Sequence, residues 1–315
     1  MISSGWEVRC NLTGSKRDVV NSASAIELQA GEHHLTVICL KWGATGEPVI
    51  LLHGITSSIA FWQVNPAPHL LDIGPCYSLS LPAHYPAIAP AGFGDSSLTA
   101  DDVVRLLDEA IRQLVGEQPV TLIGHSTGGF AALALAAHRP EMACRLVSIA
   151  GFAHGRWTGL LGLYQRTVRL GWSGEAYFKA RFRLGNLHPA ILRWAMRFHA
   201  ADTRALYAHP DLEEAVARVF LHYRRLDLDT LMSYFKFMPE IDITAQLPRI
   251  QAQTLVVAGD SDPIVPPEQS HRNTSLIKDT ELAINEDAGH LPIFERPDKY
   301  HVTFSGWLER TRLAA

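Results

Sequence analysis

Apolar residues in the first part of the chain fall into short extended runs. "WEVRC" and "HLTVICLKWG" read as strands, "ATGEP" as a turn, and "VILLHG" as a near-continuous apolar strand of the kind buried on both faces. A helical stretch over roughly 57–72 leads to another strand around "CYSLSLP". Thr99, with Asp102 three residues on, has the pattern of a capping box, and Val103, Leu106, Leu107, Ala110, Ile111 and Leu114 follow at the spacing of one helix face. "PVTLIG" is then a strand, "TGGFAALALAAHRP" a small-residue helix closed by Pro140, and "CRLVSIAG" another strand.

Strands that alternate with helices imply right-handed crossovers and a mostly parallel sheet, the α/β class. The alternation stops after Gly151. From about 153 to 248 the patterns are helical only and rich in aromatics. Strand spacing resumes with "QTLVVAGDSDP", continues through "TELAINEDAGH" and ends in a terminal helix over roughly 293–312.

Composition narrows the function classes. With 315 residues, 47% of them hydrophobic, the chain can bury a sizeable core, and a formal charge of −4 provides no global basic field, so nucleic acid is not an expected partner. The charge is uneven: residues 151–250 hold twelve arginines and two lysines against nine acids. That bias reads first as a solvated helical face and second as a basic cover suited to acidic or phosphate-bearing substrates. Cys10, Cys39, Cys76 and Cys144 lie far apart with no CxxC pair, which argues against a zinc or redox site. The start of the chain lacks a basic segment followed by an apolar one, and no apolar run approaches the roughly 18 residues of a membrane span. A cytoplasmic protein without stable membrane insertion is the expectation.

The sharpest chemical signal is Gly124-His125-Ser126-Thr127-Gly128, a G-x-S-x-G pattern with an apolar strand directly before it and a helix directly after. Glycines there permit a sharp strand-to-helix turn that a Cβ would crowd, and the turn projects the Ser126 hydroxyl above the sheet. A serine hydroxyl is a poor nucleophile until a base takes its proton, so a histidine and an orienting acid are required. His290, in a glycine-bearing loop between a strand and the last helix, is the candidate base; His125 and His53 read as structural. Asp262 is favoured over Asp260 as the acid because it lies further beyond the strand, in a proline-stiffened G-x-x-D-x-x-x-P loop. The backbone N–H groups of Ile55, in "LLHGITSS", and of Thr127 are the expected oxyanion donors.

Ser126, Asp262 and His290, in that chain order, resemble the α/β-hydrolase fold superfamily, in its serine-nucleophile, cap-bearing branch. "VILLHGITSS" looks like the oxyanion loop, "GHSTGG" the nucleophile elbow, "GDSDPIVP" the acid loop and "DAGHLPIFERP" the histidine loop. The chain departs from many relatives in "SLPAHYPAIAPAGFGDSS", where Ser80 and Ala83 replace an acid and a glycine.

The resemblance implies a mostly parallel eight-stranded sheet with helices on both faces and a helical cap inserted after strand 6. The core would comprise residues 1–152 and 249–315, the cap 153–248. Trp157, Trp172, Trp194, Tyr234 and Phe235 are the aromatic candidates to line a pocket over Ser126. The implied activity is cleavage of a carboxylic ester or related acyl bond of a small, apolar acyl substrate, with no metal or cofactor. The same machinery serves carbon–carbon hydrolysis, thioester hydrolysis or cofactor-free perhydrolysis, and some proteins resembling this family are small-molecule receptors with slow or no turnover.

Overall fold

A computed structural model describes residues 24–39, 45–64, 70, 73–82 and 84–313. The expected strand "WEVRC", Cys10, Ala83 and the part of the expected helix over 65–69 and 71–72 lie outside the described residues.

Eight strands form one sheet: β1 (Ser24–Ala30), β2 (His33–Cys39), β3 (Val49–Leu52), β4 (Cys76–Leu79), β5 (Val120–His125), β6 (Ala143–Ile149), β7 (Gln253–Gly259) and β8 (Thr280–Asn285). Their spatial order is β1-β2-β4-β3-β5-β6-β7-β8, antiparallel for β1–β2 and β2–β4 and parallel from β4 onward. β1 lies outside the strands expected from the sequence. Its period-two signal is there to read, with Ile26 and Leu28 partly covered, Ala30 buried, and Glu27 and Gln29 exposed between them.

Alternation along the strands divides the core into two layers. In β3, Ile50 and Leu52 join one layer while Val49 and Leu51 join the other. Helices α2 (Ala100–Val115) and α3 (Thr127–His138) fill the first layer; α1 (Phe61–Val64), α11 (Pro292–Glu295) and α12 (Pro297–Leu313) fill the second. The expected capping box is formed: the Thr99 hydroxyl accepts from the Asp102 N–H at 3.2 Å and the Asp102 carboxylate from the Thr99 N–H at 2.9 Å. The single terminal helix expected is instead α11 and α12, divided at Arg296, because Pro297 has no N–H to continue the first helix.

Between β6 and β7 the described chain is helical, with α4 (Gly159–Thr167), α5 (Trp172–Gly185), α6 (Pro189–Ala195), α7 (Thr203–Ala208), α8 (Leu212–Tyr223), α9 (Leu228–Phe237) and short 3₁₀ turns. The two ends of this insertion are tied together. Gly155 N–H donates to Ile241 O, and Ile243 N–H to Ala153 O, both at 3.0 Å. α10 (Pro267–Leu276) connects β7 to β8.

The chain leaves β3 towards β4 on one side and returns as β5 on the other, so a crevice opens at the carboxyl ends of these strands. That is where open α/β sheets place ligands.

Candidate active site

Ser126 sits immediately after β5 at a φ of 56°, in the left-handed region that a non-glycine residue enters at a cost of about 1–3 kcal/mol. Packing enforces it. A Cβ on Gly124 would meet Gly128 O at 2.0 Å, and a Cβ on Gly128 would meet Leu52 O at 2.2 Å. These are backbone atoms that cannot move aside, so glycine at both positions lets α3 begin directly against β3 and β5. Ser126 itself is held by its N–H, which donates to Ile149 O at 2.8 Å.

The loops after β7 and β8 bring the other two residues to this point. The Ser126 hydroxyl donates to His290 Nε2 at 2.8 Å, and His290 Nδ1–H donates to Asp262 Oδ2 at 2.7 Å. The second Asp262 oxygen accepts the N–H groups of Ile264 and Val265 at 2.8 and 3.0 Å, which fixes the orientation of the carboxylate. Asp260, the rejected alternative, is exposed. Both side chains of the His290–Asp262 pair are 2% exposed, so the pair acts in a medium far less polarisable than water.

The turn after β3 lies against Ser126, since a Cβ on Gly54 would come within 3.2 Å of Ser126 Cβ. Ile55 follows Gly54, and Thr127 begins α3. Neither backbone N–H is taken by a protein acceptor among the described residues. The Thr127 N–H, as a first-turn helix donor, carries the positive end of the α3 dipole.

Four histidines surround the site in structural roles. His53 Nδ1–H donates to Gly54 O at 2.8 Å, and its Nε2 accepts the Leu81 N–H at 3.2 Å, which pins the turn. His125 stacks on Phe61 and donates its Nε2–H to His290 O at 2.9 Å. Burial, and secondarily the neighbouring His290, push its pKa down to about 3, so it stays neutral. His199 accepts the His290 N–H on its carbonyl at 2.7 Å. Burial holds its own ring at about 4. His84, in the loop after β4, packs edge-on to both His53 and Tyr234, and Tyr234 OH donates to Pro82 O at 2.9 Å. Burial lowers His84 to about 4.

One residue that sequence reasoning missed is Glu295. Its side chain is buried in α11, where it accepts N–H bonds from Gly289 at 3.0 Å, Leu291 at 3.2 Å, and Ala201 and Asp202 at 2.8 Å each. It therefore clamps both neighbours of His290 and, in the same grip, a turn of the helical insertion. Burial, only partly offset by these bonds, raises its pKa above the ordinary carboxylate value. The one available signal is a lone carboxylate in the otherwise apolar "LPIFE" run of the histidine loop.

A cavity of about 160 Å³ opens beside Ser126 and His290. Its walls come from the insertion and the sheet edge, among them Leu160, Phe182, Ile191, Leu192, Val219 and Phe294. Of the five aromatic candidates only Trp194 lines it. Trp157, Tyr234 and Phe235 instead join the insertion to the first core layer, and Trp172 is 83% exposed. Aromatic content announces packing material; the helix faces that it occupies depend on tertiary contacts.

Comparison with known proteins agrees with this architecture. A family model described as the alpha/beta hydrolase fold matches residues 47–297. A 2-hydroxy-6-oxononadienedioate/2-hydroxy-6-oxononatrienedioate hydrolase of Klebsiella pneumoniae is 28% identical over 298 residues, covering 90% of this chain and 95% of the relative. Among solved structures, the enol-lactonase of Burkholderia xenovorans superimposes with a TM-score of 0.70 at 16% identity, covering 90% of this chain and 100% of that one. A thermophilic esterase of Thermogutta terrifontis gives 0.66 at 19% identity, covering 92% and 99%. With the family model spanning most of its length, an eight-stranded sheet of the matching kind and the serine turn at the carboxyl edge, this chain belongs to the α/β-hydrolase fold family.

Proposed function

We propose that the protein is a serine hydrolase that cleaves a carboxylic ester or related acyl bond through Ser126, His290 and Asp262. The observation that carries this reading is the unbroken relay from Ser126 Oγ through His290 to Asp262, with links of 2.8 and 2.7 Å. With Nδ1–H committed to Asp262, the Nε2 lone pair is free to take the serine proton. Ser126 Oγ attacks the carbonyl carbon as its proton moves to Nε2. The oxyanion is held by the N–H groups of Ile55 and Thr127. Collapse expels the alcohol, which takes the proton from Nε2 and leaves an acyl-serine. Water then adds, gives one proton to Nε2 and releases the acid, and that proton returns to Ser126. The insertion, residues 153–248, serves as the lid that walls the acyl cavity and excludes water.

The test is hydrolysis of a p-nitrophenyl ester series from acetate to dodecanoate by wild type and Ser126→Ala. The variant is expected to lose activity by about 10⁴-fold or more. A variant that keeps its rate would overturn the assignment.

A second reading has one specific support. The Klebsiella relative acts, by its name, on a 2-hydroxy-6-oxo diacid, a ketone rather than an ester. Hydrolysis of such a ketone breaks a carbon–carbon bond with the same nucleophile and base. Activity of wild type on a vinylogous diketone that exceeds activity on every ester of the series would favour it.

A further inference from the structure

Large apolar side chains are not exposed evenly over this molecule. Of the eleven that are exposed among the described residues, eight lie between Leu163 and Phe198, on or beside α4, α5 and α6. The same 36-residue stretch carries seven cations and a single acid, Glu175. Monomeric soluble proteins rarely gather exposed apolar surface in this way unless something binds there.

The patch surrounds the mouth of the cavity. Leu184, Trp194 and Phe198 line the cavity and are also 42, 47 and 39% exposed, so they mark where it meets solvent. Leu187, in the turn between α5 and α6, is 71% exposed beside them. At the other end of α5, Leu170 and Trp172 stand 70 and 83% exposed.

The cations are interleaved with these side chains. Arg169, Lys179 and Arg193 have acidic partners, Glu240, Asp229 and Glu213. Arg183 and Arg197 pair with no carboxylate among the described residues, and the Arg197 guanidinium lies 5.9 and 5.8 Å from the rings of Trp194 and Phe198.

We propose that the cavity mouth, formed by the end of α5 and by α6, docks on an anionic lipid surface. Charge complementarity selects this occupant. Tryptophan and leucine that enter the headgroup boundary, among unpaired arginines that meet lipid phosphates, is the chemistry of an interfacial protein surface. Docked this way, the apolar mouth joins the acyl region of the bilayer to the cavity, and a chain passes towards Ser126 without crossing water. Delivery of a chain to Ser126 rests on the hydrolase reading above. Binding to the surface does not.

The experiment is co-sedimentation of the full chain with phosphatidylcholine vesicles and with vesicles that also contain phosphatidylglycerol, at low and high salt. Ser126→Ala is included, so that binding is read without turnover. Wild type and Ser126→Ala are expected to bind the anionic vesicles alike, at least about tenfold more tightly than the neutral ones, and to release in high salt. Arg183→Glu with Arg197→Glu, and separately Leu187→Gln, remove side chains that do not line the cavity. Both variants are expected to lose vesicle binding, the double charge reversal by more than about tenfold, while their rate on a short soluble ester is unchanged. Equal affinity for neutral and anionic vesicles, or binding that survives the charge reversal, overturns the proposal. Sedimentation velocity that shows a dimer abolished by Leu187→Gln also overturns it, by placing a second copy of the chain on the patch. An inactive wild type that still binds anionic vesicles would sink the hydrolase reading and leave the docking surface standing.

Discussion

Helix α3, whose N-cap Ser126 lines the cavity, and helix α6, which lines it directly, are built on opposite principles. α3 buries every residue from Thr127 to Ala137, whereas α6 buries none. Helix α3 is clamped by backbone contacts at Gly124 and Gly128 and presents Ser126, the proposed nucleophile. Helix α6 rests its apolar side chains on the cavity rim. The proposed chemistry thus sits where the chain has no freedom to move, and the proposed substrate contacts where side chains have room to adapt.

The widest effect expected at the boundary of the two regions comes from acid. His84, His125 and His199 are buried with pKa values held at about 4, 3 and 4. At neutral pH the folded and unfolded forms both carry these imidazoles uncharged. As pH falls below about 6.5 the unfolded chain takes up protons that the folded chain refuses, so stability is lost down to the depressed values. Each pH unit in that window costs about 1.4 kcal/mol per histidine, several kcal/mol in all. Thermal melts from neutral to acidic buffer should show a steep fall in Tm, and a flat Tm between about pH 7 and 4 would show that these rings are not held neutral.

Next in size is Glu295→Gln, which sharpens the comparison because Glu295 touches both regions. A glutamine keeps the shape but turns an NH₂ towards one pair of N–H donors. That leaves a buried mismatch that costs about 1–3 kcal/mol in an urea melt. Since Gly289 and Leu291 flank His290, kcat is expected to fall more than KM changes. An unchanged kcat would mean that the histidine loop holds its place without the clamp.

The smallest effect belongs to the insertion. Ile191→Ala widens the cavity wall and is expected to leave the fold and the short-ester rate within about twofold, while rates on longer acyl chains shift by up to about tenfold. A uniform loss across the series would show that α6 supports the catalytic residues as well as the substrate.

The same division decides what was legible beforehand. That Ser126, Asp262 and His290 come together was readable because each lies in a local motif just past a strand end, and the strands stack in register. The capping box at Thr99 belongs to the same class of local signal, whereas the count of eight strands followed from the family resemblance. Glu295 was not readable, because its partners, Ala201, Asp202, Gly289 and Leu291, are backbone atoms supplied by two separate segments. Nor was the lining of the cavity: the helical pattern says that Trp157 and Trp194 are both apolar, and only tertiary packing sends one into the core and the other to the rim. Strand β1 escaped because its alternation of Ile26 and Leu28 with Glu27 and Gln29 is short and only half buried.

The Glu295 grip also says where this molecule can be taken apart. Residues 199–202 lie within the insertion by sequence, yet the His199 carbonyl and the N–H groups of Ala201 and Asp202 are fastened to the histidine loop and to α11. Mechanically they belong to the sheet. Transplanting a foreign insertion onto this scaffold therefore has its natural cut points on either side of that turn, not at the ends of the insertion, and an insertion exchanged whole would carry away part of what positions His290.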